Sequence, residues 1–218
     1  MSYAILRVQK LKSFSGIGRH IDRVDAEGIT YVPGNADESR VNENLHWDSQ
    51  GRAYSQEEWT NYVRDNSLSK RVNSRIEIGY KLTKTIRKDA VKALEYILTS
   101  DNRKMREIET SSDLFKDWIV SNREFIESIH GKENIVAFSL HRDEESAHIH
   151  AVVVPLTEGG RLTMEPYVGS PKKLITLQNA YADAMQKFGM IRGKAGSKQR
   201  HERPDKDKSI DRNKTFER

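Results

Sequence analysis

The chain has 218 residues, of which 36% are hydrophobic and 32% charged, with a formal net charge of +5 and no cysteine. That length suits one substantial domain with or without a tail, and the absence of thiols excludes disulfides and thiolate chemistry and makes a reducing cytoplasm the simplest expected home. The start "MSYAILRVQKL" lacks the features of a signal peptide, no run approaches the roughly 20 apolar residues of a membrane span, and the basic excess favours an anionic partner without naming one.

Taken in chain order, "YAILRVQKL" (3–11) alternates as a strand does, and "SFSGIGRHIDRVD" (13–25) is expected to hold a short helix. In that helix His20 and Arg23 are three apart and so lie on one face. "SQEEWTNYVRD" (55–65) pairs Ser55 with Glu58 in capping-box spacing ahead of an apolar stripe of Trp59, Tyr62 and Val63. From Arg64 to Lys88 eight cations face only two acids. Such a run is ordinarily a solvated face, but Arg71, Arg75, Lys81, Lys84, Arg87 and Lys88 are also candidates for contacts with phosphate. "AVKALEYIL" (90–98) reads as a strand, with helix a fair competitor. "SSDLFKDWIVSNREFIESIHG" (111–131) has helical spacing from Phe115 to Ile129 and a terminating Gly131. "SPKKLITLQNAYADAMQKFG" (170–189) is a second such helix, capped by Ser170 with Pro171 in its first turn. Its Lys172 and Lys173 sit at a helix start, where backbone amides favour phosphate. After about Lys198 almost no apolar residue remains, so 1–197 is expected to form the domain and 198–218 a basic polar extension or linker.

Between the two long helices lies "NIVAFSLHRDEESAHIHAVVVP" (134–155), which reads as a hairpin. Alternation puts Val136, Phe138 and Leu140 on one side of the first strand, and Ala137, Ser139 and His141 on the other. On the second strand Ile149, Ala151 and Val153 oppose His148 and His150. Three imidazoles then share one open face, the usual number for a catalytic divalent cation. Asp143, Glu144 and Glu145 in the connection are available to orient the histidines or to move protons. The plainer alternative is a cluster of surface histidines with no ligand. The expected architecture is α+β: a mainly antiparallel sheet with the hairpin at its centre, and helices 111–131 and 170–189 packed on the face opposite the histidines.

The histidine–hydrophobe–histidine pair, the third histidine and the N-terminal "HIDR" together resemble the HUH endonucleases, and within them the MobV (Mob/Pre) relaxases. The family's H-N-x-R motif is similar to His20-Ile21-Asp22-Arg23, its N-x-x-L to Asn42-Glu43-Asn44-Leu45, and its H-x-D-E-x-x-P-H-x-H to His141 through His150. "MSYAILRVQKLK" and "IRKDAV" (86–91) also look like the family. Ile21 and Ala147 depart from its asparagine and proline, Glu43 stands where some relatives carry tyrosine, and the segment before "IRKDAV" looks long for the family.

The resemblance implies a DNA relaxase that nicks one strand at an origin of transfer by transesterification, for the mobilisation of a plasmid or an integrated element in bacteria. It implies His20 as nucleophile, giving a phosphoramidate with the 5′-phosphate, with Tyr31 and Tyr54 as competitors. Arg23 is placed to hold phosphate oxygens and to disfavour a protonated His20, and Glu144 is a candidate for orienting His20 or taking its proton. His141, His148 and His150 would hold Mn2+ or Mg2+, with Asn42 and Asp143 in support, although ligand softness alone equally allows zinc. Implied partners are origin DNA, single-stranded at the nick beside a duplex or hairpin, and conjugation machinery reached through regions beyond this chain. Trp47, Tyr62 and Tyr80 are candidates for stacking on bases, although Tyr62 fits a core better. A three-histidine hydrolase without covalent intermediate, and a non-catalytic basic DNA-binding module, remain as alternatives.

Overall fold

The computed structural model describes residues 1–194, so the expected extension over 198–218 lies outside the described residues. The elements run β1 (Ser2–Leu11), α1 (Ser15–Asp22), β2 (Leu45–Trp47), β3 (Ala53–Ser55), α2 (Gln56–Asp65), α3 (Leu68–Gly79), β4 (Ala93–Thr99), α4 (Asn102–Glu109), α5 (Ser112–His130), β5 (Ile135–His141), β6 (His148–Val153), α6 (Glu165–Val168), α7 (Pro171–Met185) and β7 (Met190–Arg192). The strands form one seven-stranded sheet in the order β3-β2-β5-β6-β4-β1-β7. Only β1 with β7 is parallel. The fold is therefore α+β with a mainly antiparallel sheet, and the β5–β6 hairpin sits at its centre.

Local signals in the sequence set the element ends. Ser55 and Glu58 form the reciprocal capping box of α2. Ser170 accepts from the Lys173 amide at the start of α7, and Gly131, at φ 77°, ends α5. The region 90–98 is a strand and not a helix: β4 pairs β1 on one side and β6 on the other, and its residues are nearly all buried. A half-buried amphipathic helix has no place between two such partners.

The hairpin's faces sort as alternation predicts, with one exception. Phe138, Leu140, Ile149, Ala151 and Val153 join Trp118, Phe125 and Ile126 of α5 and Leu177, Tyr181 and Met185 of α7 in one core. Each of the larger aliphatic and phenyl side chains among them contributes about 1.5–3 kcal/mol by burial. Both helices lie opposite the histidines, as the alternation requires. Val136 does not share that side. The register of β5 against β6 shifts between Ile135 and Ala137, so Ile135 takes the expected place and Val136 turns to the other face with Ala137. A bulge of this kind inserts a residue and reverses the alternation behind it.

The histidine face is not bare, so helices pack on both faces and not on one. Phe14 and Ile21, from the α1 region, meet Leu68, Val72 and Ile76 of α3 over Ala137, Val152 and Val154. Among the described residues no helix is long and apolar enough to cross a membrane.

Candidate active site

Cross-strand register assembles the histidines. His141 lies directly opposite His148, and Ser139 opposite His150, so all three rings rise from one face of the hairpin. Their centroids are 4.7–5.3 Å apart. His20 arrives from α1, 5.1 Å from the His150 ring and 5.7 Å from that of His141, edge-on to both. Each of the four offers one ligand atom, and these atoms lie within 4.8 Å of one another.

One nitrogen of every ring is already committed. His141 Nε2 is 3.0 Å from the Ile21 carbonyl, His148 Nδ1 2.9 Å from the Ser146 carbonyl, and His150 Nδ1 2.7 Å from Glu95 Oε1. Carbonyls only accept, so His141 and His148 carry their protons on those nitrogens and keep lone pairs on the others. His141 Nδ1 and His150 Nε2 are buried without any partner. An orphaned buried nitrogen is costly unless something binds it. Rings fixed from behind by a carbonyl or carboxylate, with free lone pairs converging, are what a histidine metal site consists of. The residues present therefore fit a divalent cation.

The end of α1 is built into this site. It stops on Arg23, a non-glycine residue in the left-handed region (φ 53°, ψ 37°). The last carbonyls find partners from the site itself. Arg23 Nη1 donates to the His20 carbonyl, the His141 ring to Ile21 and Gln56 Nε2 to Asp22, while Arg23's own carbonyl accepts from the Tyr31 amide. The buried Arg23 guanidinium makes a two-point pair with Asp143, at 2.8 and 2.9 Å, and donates to Glu144 Oε1 at 2.6 Å. Its Nη1 also lies 3.2 Å from His20 Nδ1. A guanidinium cannot accept, so Nδ1 does, and the neutral ring carries its proton on Nε2. Glu144 Oε1 is 3.8 Å from that nitrogen and 3.9 Å from His148 Nε2.

Electrostatics keep His20, His141 and His150 neutral. Burial, then the fields of His150 and Arg23, hold His20 at about 3, with Glu144 opposing. Burial drives His141 and His150 well below the usual range, helped by Arg23 and His148 respectively. Burial raises Glu95 to about 7. Burial also acts to raise Glu144, but His148 and Arg23 outweigh it and the net shift is downward.

Other expected residues lie elsewhere. Asn42 is exposed; Asn44, two residues on, is buried and accepts the Arg142 amide at 2.8 Å. Asp143 holds Arg23, and one of its oxygens lies within 4.8 Å of a His141 ring nitrogen. Arg71 is buried, with its guanidinium bonded to Asp22 (2.6 Å to both oxygens) and to the Asn66 and Val136 carbonyls, so four of its five donors are committed inside the protein and it does not stand on a phosphate-facing surface. Arg75 is half-buried against Asn134. Lys81, Lys84, Arg87, Lys88, Lys172 and Lys173 are exposed, with Arg87 paired to Asp89. Tyr54 is buried and donates to Asp48, Tyr31 packs under Arg19, and Tyr62 stacks on Trp59. Trp47 packs on Phe138, and the Tyr80 hydroxyl donates to the Lys84 carbonyl. Glu95 and the Ile21 carbonyl were not visible to sequence reasoning; the alternation of β4 against β6 is the only signal for Glu95.

Known proteins resemble this chain over most of its length. It is 30% identical over 200 residues to plasmid recombination enzyme type 3 of Staphylococcus aureus, covering 89% of this chain and 44% of that protein. It is 31% identical over 192 residues to the type 3 enzyme of Mammaliicoccus lentus, covering 87% and 42%. The chain thus spans less than half the length of these relatives. Among solved structures its fold matches the MobM relaxase domain (MOBV; Mob_Pre), determined Mn-bound and with plasmid oriT DNA, at a TM-score of 0.76 and 25% identity over 92% of this chain and 95% of that one. The Mob_Pre model, described as plasmid recombination enzyme, matches residues 1–209. With a family match across nearly the whole chain, the chain belongs to the Mob_Pre family of plasmid recombination enzymes.

Proposed function

We propose that this chain is a DNA relaxase domain that nicks one strand of origin-of-transfer DNA by transesterification, with His20 as nucleophile and a divalent cation, Mn2+ or Mg2+, on His141, His148 and His150. The observation that carries it is the convergence of four imidazoles, three of them fixed from behind and one held by an arginine–carboxylate pair. The bound cation would supply Lewis-acid stabilisation of charge on the scissile phosphate. The chain's own residues do the rest. Arg23 holds His20 through Nδ1 and its carbonyl, which aims Nε2 into the cluster and disfavours a second proton on the ring. Nε2 forms the bond to phosphorus as the bond to the 3′ oxygen breaks. Glu144 Oε1 accepts the Nε2 proton, and that proton leaves with the 3′-hydroxyl. Asp143 neutralises Arg23 so that a buried cation does not repel the metal. Exposed Lys81, Lys84, Arg87, Lys88, Lys172 and Lys173 are proposed to contact phosphates, and conjugation machinery is proposed as a further partner.

The test is incubation with single-stranded origin DNA and Mn2+, followed by a denaturing gel. A covalent adduct that mild acid releases, and that is absent from His20→Ala, is expected; His148→Ala should also form none while still binding DNA. A nucleotide mapped by mass spectrometry to Tyr31 or Tyr54 would overturn the nucleophile. Cleavage without adduct would favour the hydrolase alternative, and a shift on native gels alone would favour a binding module.

A further inference from the structure

Four histidines converge on this site, although the proposed chemistry needs only three as ligands. We propose that the site can hold a divalent cation in two ways, and that a cation favouring four nitrogen ligands, zinc being the type, takes His20 as its fourth ligand and disables the domain. The consequence for activity rests on the preceding reading of His20 as nucleophile; the ligation itself does not.

The geometry favours a fourth arm. The free nitrogens, by elimination, are His141 Nδ1, His148 Nε2, His150 Nε2 and His20 Nε2, since Arg23 occupies His20 Nδ1. All four ligand atoms lie within 4.8 Å of one another. Tetrahedral zinc with bonds of about 2.0–2.1 Å needs nitrogens about 3.3 Å apart. The cluster must contract, and His20 and His148 are half-buried at its open side whereas His141 and His150 are buried beneath them. The charges around the rings are Asp143, Glu144 and Glu95 against Arg23 alone, which suits a dication.

Cation preference then decides the state. Mn2+ and Mg2+ favour six ligands rich in oxygen, so they are satisfied by three imidazoles with water or phosphate and leave His20 free. Zinc binds nitrogen sites more tightly than manganese and is content with four. His20 Nε2 and a phosphate oxygen compete for the same position. Metal identity thereby selects between an active and a closed site.

Cobalt(II) is the probe, because four-coordinate Co2+ absorbs visible light intensely and six-coordinate Co2+ weakly. Metal-free protein titrated with Co2+ is expected to show the intense band, and His20→Ala to lose it. Zinc should bind His20→Ala about tenfold or more weakly, whereas the rise in melting temperature on adding Mn2+ should be unchanged. Zinc should also abolish adduct formation by the wild type, with activity restored by chelation followed by Mn2+. An equally intense Co2+ band in wild type and His20→Ala would overturn the proposal. If His148→Ala binds Co2+ and Mn2+ as the wild type does, the three-histidine reading fails, and this one with it. Loss of both ions in His148→Ala with no effect of His20→Ala sinks this proposal alone.

Discussion

At the scale of single residues, Glu95 shows how a site gains a member that no motif announces. It stands on β4 opposite Val152, one place diagonal from His150, and reaches that ring's Nδ1 at 2.7 Å. A carboxylate behind a ligand histidine fixes the ring and raises the basicity of its far nitrogen. Glu95→Gln keeps the shape and removes the charge. We expect it to weaken Mn2+ binding about tenfold, at the lower end of the 10–100-fold usual for such partners. Because burial raises Glu95 to about 7, the same variant should not destabilise the metal-free fold and should stabilise it slightly above that pH. Calorimetric titration and urea melts separate the two effects; a destabilised fold with unchanged Mn2+ affinity would make Glu95 merely structural. The three clustered strand histidines and His20 were legible from spacing and motif. Glu95 was not, since a lone glutamate in a strand reads as an edge or a solvent position.

At the scale of elements, α1 is held as much by α2 and α3 as by the sheet. Asp22, next to Arg23, takes both its strongest partners from them: Arg71 on α3 and Trp59 Nε1 on α2. Gln56 of α2 bonds the Asp22 carbonyl and His46, and His46 stacks on Trp59. The Arg64–Lys88 stretch therefore divides. Arg71 locks α1, the helix that carries His20, whereas Arg87 and Lys88 face solvent. Removing one partner of a buried ion pair costs about 3–5 kcal/mol, so Arg71→Ala should lower stability to urea by that amount. Arg71→Lys should rescue it only in part, because an ammonium cannot match two carboxylate oxygens and two carbonyls at once. The salt dependence of DNA binding by the folded fraction should not change. Arg87→Ala with Lys88→Ala should do the reverse, leaving stability alone and reducing the salt slope by about one for each phosphate left without its cation. A shallower salt slope in Arg71→Ala without loss of stability would return Arg71 to the DNA surface.

Across the whole molecule, buried neutral histidines make stability depend on pH. Burial holds His46 and His130 at about 3, as it does His20, and drives His141 and His150 well below 6.5. These folded values lie below the unfolded one, so between them the unfolded chain binds more protons. The stabilisation is full above about pH 6.5 and is lost as pH falls toward about 3. Glu95 and Asp22, both raised by burial, act in the opposite sense, with the Glu95 contribution lost as pH rises through about 7, but they are two groups against five. The urea midpoint of the metal-free protein should therefore fall steadily from about pH 6.5 to about pH 4. His130→Gln, which is remote from the cluster, should flatten part of that slope without affecting Mn2+ binding. A midpoint constant over that range would contradict the burial of these rings.

The sequence by itself determined which segments are strands and helices around the hairpin, the face on which the three histidines stand, and the caps at Ser55, Ser170 and Gly131. These are local matters, set by periodicity and by the backbone's demand for partners within a few residues. It could not tell Asn42 from Asn44, see the bulge that turns Val136 over, or separate Arg71 from the cations beside it. Those outcomes depend on which groups meet across long separations in the chain. Arg23 and Asp143 are 120 residues apart, as are Ile21 and His141, and His150 is 55 from Glu95. Only the tertiary structure closes those distances. A buried charge or orphaned nitrogen takes whichever partner the packing brings within reach, and spacing along the chain carries no record of that choice.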